Sequence, residues 1–281
     1  MEQRGAPRGW LDRDFRFVHL KDSKAQEFEY HYHDFDKIVL LLGGKVTYMV
    51  EGTAYFLRPG DLLLVGRHQV HRPVIDPGEP YDRIVIWAEE GFLKRHSSPD
   101  CPLDQCFKLA DRRGFDLMRL DSDTRRTLRG LVDRLEQSFQ DDRFGAELLQ
   151  ESYFLQLLVF VNRIMLDDTT VLDDTTGRED GKIRQVMRYI GEHLQEELTV
   201  EQLAGQVYIS KYHFMRRFKE ETGVTVHQYV TRKRLFLAAR LLREGMPAVQ
   251  AAEECGFEDY STFVRAFKKT FGKTPREYNK Q

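Results

Sequence analysis

The chain states one short segment twice. Ser210 to Gly223, SKYHFMRRFKEETG, overlays Asp259 to Gly272, DYSTFVRAFKKTFG, when the sequence is moved forward by 49 residues. At that offset Phe214 meets Phe263, Arg216 meets Arg265, Phe218 meets Phe267, Lys219 meets Lys268 and Gly223 meets Gly272. The match runs on through Thr225 on Thr274 and Tyr229 on Tyr278. A repeat at a fixed offset marks one supersecondary unit used twice.

Both copies have the period of a short amphipathic helix. Phe214/Phe218 and Phe263/Phe267 are i,i+4 pairs, so each pair packs inward on one stripe. The positions diametrically opposite are Tyr212, Arg216 and Lys219 in the first copy and Ser261, Arg265 and Lys268 in the second. Each helix therefore shows water an arginine, a lysine and a neutral hydrogen-bonding residue. Arginine suits a guanine edge, lysine a phosphate and a hydroxyl either one. One such helix is ordinarily a solvated face; two with the same exposed stripe point to a duplex.

Charge sorts the same way. The 281 residues carry a formal net charge of -2. Residues 182–281 hold 18 Lys+Arg against 12 Asp+Glu, and the preceding residues 25 against 33. A basic C-terminal third on an acidic body implies a polyanion partner for the tail alone. The length suits about two domains, and 41% hydrophobic residues can build their cores. No apolar run approaches the roughly 18 residues of a membrane span, and the first residues, MEQRGAPRGWLDRD, lack a signal-peptide core. Cys101, Cys106 and Cys255 form neither a CxxC pair nor an even disulfide set. A cytoplasmic protein with reduced thiols and no membrane partner is expected.

Residues 1–118 are expected to form an all-β domain. DFRFVHL (14–20), KIVLLL (37–42), KVTYMVEG (45–52), TAYFLRPGD (53–61), LLLVG (62–66) and YDRIVIWAEE (81–90) are short β-rich runs punctuated by Gly-Gly, Glu-Gly and Pro-Gly-Asp. HYHDFDKIVLLLGGKVTYMV and RPGDLLLVGRHQVHRP resemble the two motifs of the cupin barrel, over roughly residues 28–90. Where metal-binding cupins continue from HxH to a glutamate, this chain has Lys37, a cation that opposes a metal. His31, His33 and His71 accordingly read three ways: a three-histidine metal site, the mouth of a small-molecule pocket, or hydrogen-bonded structural histidines. No metal or cofactor is expected, and His31, His33, Lys37, Tyr48 and His71 are the candidate effector-contacting residues. Arg58, Arg67, Arg72 and Arg83 invite an anionic ligand, or are solvated strand ends.

From Ser122 the period changes to that of a helix, with Leu128, Leu131, Val132, Leu135 and Phe139 recurring at three- and four-residue spacing. A second helix, residues 146–166, is apolar nearly all round between Phe154 and Val161 and needs cover on several sides. The barrel, the first helix or the same pair in a second copy can supply it, so residues 119–166 are expected to be a helical dimerisation segment in a homodimer. Residues 167–181, acidic and Thr-rich, read as a flexible linker.

The remaining residues, 182–281, read as an all-α domain. Thr199–Gln202, Ser210, Thr225–Gln228 and Thr274–Glu277 are helix N-terminal signals, and Gly223 is a C-terminal one. Helix, tight turn, helix occurs twice, joined by the long helix VHQYVTRKRLFLAARLLREG, whose Arg232-Lys233-Arg234 run faces either phosphate or water. Ala204 with SKYHFMRRFKEETG, the Arg234…Ala238…Leu241-Leu242 pattern and AAEECGFEDYSTFVRAFKKTFGKTPREY resemble the DNA-binding domain of the AraC/XylS family of transcriptional regulators. A cupin-like domain followed by helices is the family's usual effector-binding and dimerisation arrangement.

The resemblance implies that each repeated helix enters a major groove, with adjacent grooves about 34 Å apart. It implies base reading by Tyr212, Met215 and Arg216, and by Tyr260, Ser261 and Arg265; Met215 and Tyr260 rest on the resemblance, the other four also on helix geometry. Ser210, Lys219, Lys268 and the helix N-terminal amides are expected to hold phosphates. The expected protein is a multi-domain regulator, not an enzyme, that binds double-stranded DNA and a small-molecule effector, with a carbohydrate implied by many relatives and RNA polymerase as a further candidate partner. Two alternatives stand beside it: a metal-dependent cupin enzyme with an appended DNA module, and a barrel that only dimerises or takes a protein partner. A barrel interior filled with large side chains would favour the last.

Overall fold

The computed structural model describes residues 11, 13–22, 28–76, 78–167 and 181–279. Residues 168–180, nearly all of the expected linker, and the first ten residues lie outside them. The described residues form two compact units.

The first unit contains β1 (Phe15–Asp22), β2 (Phe35–Gly43), β3 (Val46–Val50), β4 (Thr53–Leu57), β5 (Leu62–Val65), β6 (His71–Ile75), β7 (Tyr81–Glu89) and β8 (Leu117–Met118). The strands make a five-stranded sheet in the order β1-β7-β2-β5-β8 and a three-stranded sheet in the order β4-β3-β6. Pairings of β2 with β5 and β7, of β1 with β7 and of β3 with β6 are antiparallel. Val39, Leu41, Tyr48, Tyr55, Leu63, Val65 and Tyr81 share one buried cluster between the sheets.

The other face of the large sheet, through Ile38, Leu40, Leu62, Leu64, Ile84 and Ile86, belongs to a second cluster shared with helices. These are α1 (Glu90–Arg95), α2 (Gln105–Arg113), α3 (Ser122–Ser138) and α4 (Ala146–Leu166). Cover on both faces explains why β2 reads as the unbroken run KIVLLL rather than as alternation. It also accounts for α4, since Phe154, Leu157, Leu158 and Val161 are all taken up inside this core.

Sequence reading passed over β6, β8, α1 and α2, so the stretch expected to be all-β also carries two helices. β6 was hidden by Pro73, which demotes a run to edge strand or non-strand, and β6 is indeed an edge. The short α1 is capped by Glu89, whose carboxylate accepts from the Phe92 N–H at 2.9 Å. Six residues are too few for a helical period to declare itself.

The second unit contains α5 (Lys182–Glu192), α6 (Val200–Gln206), α7 (Lys211–Thr222), α8 (Val226–Arg243), α9 (Ala248–Glu254), α10 (Tyr260–Phe271) and α11 (Pro275–Tyr278). Capping boxes stand at Thr199/Gln202, Thr225/Gln228 and Thr274/Glu277, where the sequence places them. Gly223 and Gly272 end α7 and α10 in the left-handed conformation that a Cβ disfavours. Pro247 sits at the N-cap of α9.

The repeat survives as packing. Phe214 and Phe218 lie 5.7 Å apart between ring centroids, and Phe263 and Phe267 lie 5.4 Å apart. Phe218 then meets Tyr229 edge-on at 5.5 Å, and Phe267 meets Tyr278 edge-on at 5.4 Å. Two residues 49 apart thus make the same aromatic contact twice, the favoured geometry for the ring quadrupoles.

Candidate nucleic-acid interface and effector pocket

With both phenylalanine pairs buried, helix geometry throws the opposite stripe of α7 and α10 outward. Tyr212, Arg216 and Lys219 are exposed on α7, and Tyr260, Ser261, Arg265 and Lys268 on α10. Met215 is half-buried beside them. Ser210 caps α7 by accepting from the His213 N–H at 3.4 Å.

The two arginines differ in how they are held. Arg216 has only a loose pairing with Glu220, 3.8 Å away, both side chains well exposed. Arg265 donates to Thr262 Oγ1 at 3.2 Å, and the Thr262 N–H is itself held by the Asp259 carboxylate at 2.6 Å. The Thr262 hydroxyl first, and its N–H second, hold the Asp259 carboxyl below the usual carboxylate range. Thr262 was missed in the sequence reading; its i,i+3 spacing before Arg265 was the available signal.

Arg234, part of the basic run on the linking helix, is engaged by backbone carbonyls. Its guanidinium donates to the Leu194 carbonyl at 2.9 Å and to the Glu196 carbonyl at 2.7 Å, tying the stretch after α5 to α8. Lys211 likewise pairs with Glu201, joining the first turn of α7 to α6.

In the first unit the structure brings all five candidate effector residues together. Lys37 Nζ donates to Tyr48 Oη at 2.9 Å. Ring centroids of His31 and His71 lie 4.3 Å apart, those of His33 and His71 4.8 Å, and Tyr48 stacks on His71 at 6.1 Å. Backbone carbonyls of Glu29, Phe35 and Gln69 stand 2.7–3.0 Å from the Nδ1 atoms of His31, His33 and His71. A carbonyl only accepts, so each Nδ1 carries a proton, and in a neutral ring the Nε2 then presents a lone pair. The Nε2 atoms of His33 and His71 are buried with no hydrogen-bond partner. Burial first, and the Lys37 charge second, push both imidazoles well below their ordinary pKa, so both are neutral.

Space is what the pocket lacks. The cavity bounded by His31, Lys37, Tyr48, Tyr81, Arg83 and Trp87 has a volume of about 20 Å3. That is room for about one water, because Tyr48, Tyr55 and Tyr81 fill the barrel. Among the described residues, no group of three His, Cys, Asp or Glu side chains is placed to hold a metal ion.

The arginines that invited an anion are mostly engaged already. Arg67 spans Glu90 at 2.9 Å and Asp104 at 3.5 Å and lies 3.9 Å from Asp36, Arg83 pairs with Asp22, and the Arg72 guanidinium lies 4.4 Å from the centre of the Tyr30 ring.

Comparison with known proteins agrees with this division. Residues 17–158 match the family described as AraC-like ligand binding domain, and residues 203–281 match a helix-turn-helix domain. The probable transcriptional regulator LumQ of Photobacterium leiognathi is 28% identical over 267 residues, covering 94% of this chain and 95% of that protein. The HTH-type transcriptional activator RhaS of Salmonella schwarzengrund (strain CVM19633) is 28% identical over 257 residues, covering 89% and 87%. Among solved structures, the C-terminal domain of AraT, a response regulator from Geobacillus stearothermophilus, is 30% identical, covering 37% of this chain and 88% of that chain with a TM-score of 0.35. No helix among the described residues is long and apolar enough to cross a membrane.

Proposed function

The chain belongs to the AraC/XylS family of transcriptional regulators, and from that premise we propose that it reads DNA with α7 and α10, as a homodimer whose β-rich unit answers to a small molecule. One observation carries the reading: two helices with equivalent buried phenylalanine pairs turn equivalent Arg and Lys side chains to solvent. In it, Tyr212, Met215 and Arg216, with Tyr260, Ser261 and Arg265, contact base edges. Ser210, Lys219 and Lys268 hold the flanking phosphates. A DNA partner supports a cytoplasmic location, RNA polymerase is the partner through which it would act, and no enzymatic activity is proposed. Exposed Phe144, Leu148 and Leu149 around the start of α4 support an interface between copies.

Selection from a random duplex library by the full chain tests the DNA reading. The enriched site should contain two elements about one helical turn, roughly 10 base pairs, apart. A library returning no enriched sequence would remove the proposal.

For the effector, the supporting observation is the pair of unpartnered imidazole acceptors beside the Lys37 ammonium. They suit a ligand that offers hydroxyl or N–H donors along with an acceptor for the lysine, as a carbohydrate does. Admitting it requires the Lys37–Tyr48 pair to part. The filled interior favours a second reading, in which the barrel dimerises or meets a protein without any ligand. A thermal-shift screen separates the two: a ligand at 100 times its Kd adds about 2.7 kcal/mol of stability, and the second reading allows no such shift.

A further inference from the structure

A second cavity of the first unit lies outside the barrel. It is a cleft of about 560 Å3 on the helical side of the sheet, between the end of β2 and α3. This size is within the range of pockets that hold small organic molecules. Its floor is apolar, built from Leu40, Leu42 and Leu128. Its walls are cationic: Arg125, Arg126 and Arg129 line it, against the single acid Asp133.

The arginines are arranged rather than strewn. Arg125 donates to the Leu120 carbonyl at 2.9 Å, and its stem lies across Gly60, where a Cβ would come within 2.7 Å of it. The turn that carries Gly60 is fixed in its turn by Asp61, which is 1% exposed, accepts from Arg119 at 3.0 Å and from the Arg58 N–H at 2.8 Å. Arg129 is oriented by Asp133 at 2.8 Å. On the same face of α3, a Cβ at Gly130 would meet nothing within 4 Å. Glycine weakens a helix interior relative to alanine, and at this position it leaves the space over the cleft open.

We infer that this cleft is a second ligand site, for an amphipathic anion that lays an apolar body on the leucine floor and a carboxylate between the guanidiniums. Charge complementarity favours the anion: three arginines stand against Asp133, which pairs with Arg129, and Asp123, which pairs with Arg126 at 3.2 Å, leaving a net positive charge, and guanidinium–carboxylate bonds are the strong, directional ones. The inference does not rest on the barrel pocket being an effector site.

The test titrates the full chain with octanoate and with octan-1-ol, which has the same tail and no charge, by calorimetry. Octanoate should bind saturably at one site per chain, and octan-1-ol at least about tenfold more weakly, a difference of 1.4 kcal/mol. Gly130→Leu, which fills the cleft, and Arg129→Gln, which keeps its volume, should each weaken octanoate by about tenfold or more. Helical content by circular dichroism identifies any variant that fails to fold, and Arg129→Gln then carries the test alone. Equal binding of acid and alcohol overturns the inference, as does the absence of saturable octanoate binding. Octanoate binding lost in Lys37→Met but kept in folded Gly130→Leu puts the ligand in the barrel and overturns it too. Dissociation of a dimer by Gly130→Leu, without octanoate binding, makes the cleft an interface between copies instead.

Discussion

Lys37 donates a hydrogen bond to Tyr48 at 2.9 Å inside the barrel, and its charge bears on the two buried imidazoles of His33 and His71. A cation beside neutral histidines makes the barrel sensitive to acid, with a sign that follows from linkage.

His33 and His71 are held well below 6.5 in the folded unit, by burial and then by Lys37. Between their folded values and about 6.5 the unfolded chain binds protons that the folded one refuses, so their contribution is present above pH 6.5 and lost as pH falls. Asp36 acts the other way. Burial pushes its carboxyl up to about 6, so its contribution is greatest at low pH and is lost as pH rises through that value. NMR titration of each imidazole separates the effects. Lys37→Met should move both histidines upward, toward 6.5; histidines that do not move would show that the ammonium is not what holds them.

Arg216→Ala and Arg265→Ala should each cost about 1–3 kcal/mol at the selected DNA site and relax preference at one base pair. Lys219→Ala and Lys268→Ala should instead weaken all sequences alike and lower the salt dependence. Thr262→Ala should reproduce part of the Arg265 loss by freeing its guanidinium. Unchanged affinity in both arginine variants, by titration of labelled duplex, would mean that a different face reads the bases.

Asn162 ties α4 to α2 and to the loop that precedes α2. Its side chain donates to the Leu103 carbonyl at 2.9 Å and accepts from the Cys106 N–H at 2.7 Å, all buried. Asn162→Leu leaves both backbone groups without these partners and should cost the first unit roughly 1–3 kcal/mol, read from its urea transition. A loss below a few tenths of a kcal/mol would mean water replaces the amide.

Removing residues 182–281 should abolish DNA binding and leave a folded protein that sediments as a dimer. A monomeric remainder would end the proposal that the helical segment joins two copies, and Phe144→Ser with Leu148→Ser should give the same monomer from the full chain.

What the residues alone determine is largely local. The second unit was legible nearly helix by helix, because caps such as Thr199, Ser210, Thr225 and Thr274 and the i,i+4 phenylalanine pairs act within a few residues of themselves. The same locality exposed Arg216 and Arg265, since burying one face of a helix fixes the other. The period also gave α4 its length and its need for cover, but not what covers it. Whether Phe154 and Val161 meet a sheet, a neighbouring helix or a second copy is decided by chain folding over long separations, and here the sheet and its helices take them. Pro73 in β6 is tolerated only because the strand lies at an edge. Motif spacing pointed to His31, His33 and His71, whose rings the fold brings together, yet the small volume beside them depends on Tyr48, Tyr55 and Tyr81 converging from three strands. The sequence left Arg234 open between phosphate and water, and the stretch after α5 brought the Leu194 and Glu196 carbonyls alongside it. Periodicity and capping are properties of a segment; cover, cavity volume and the partner of a long cationic side chain are properties of what the rest of the chain places next to it.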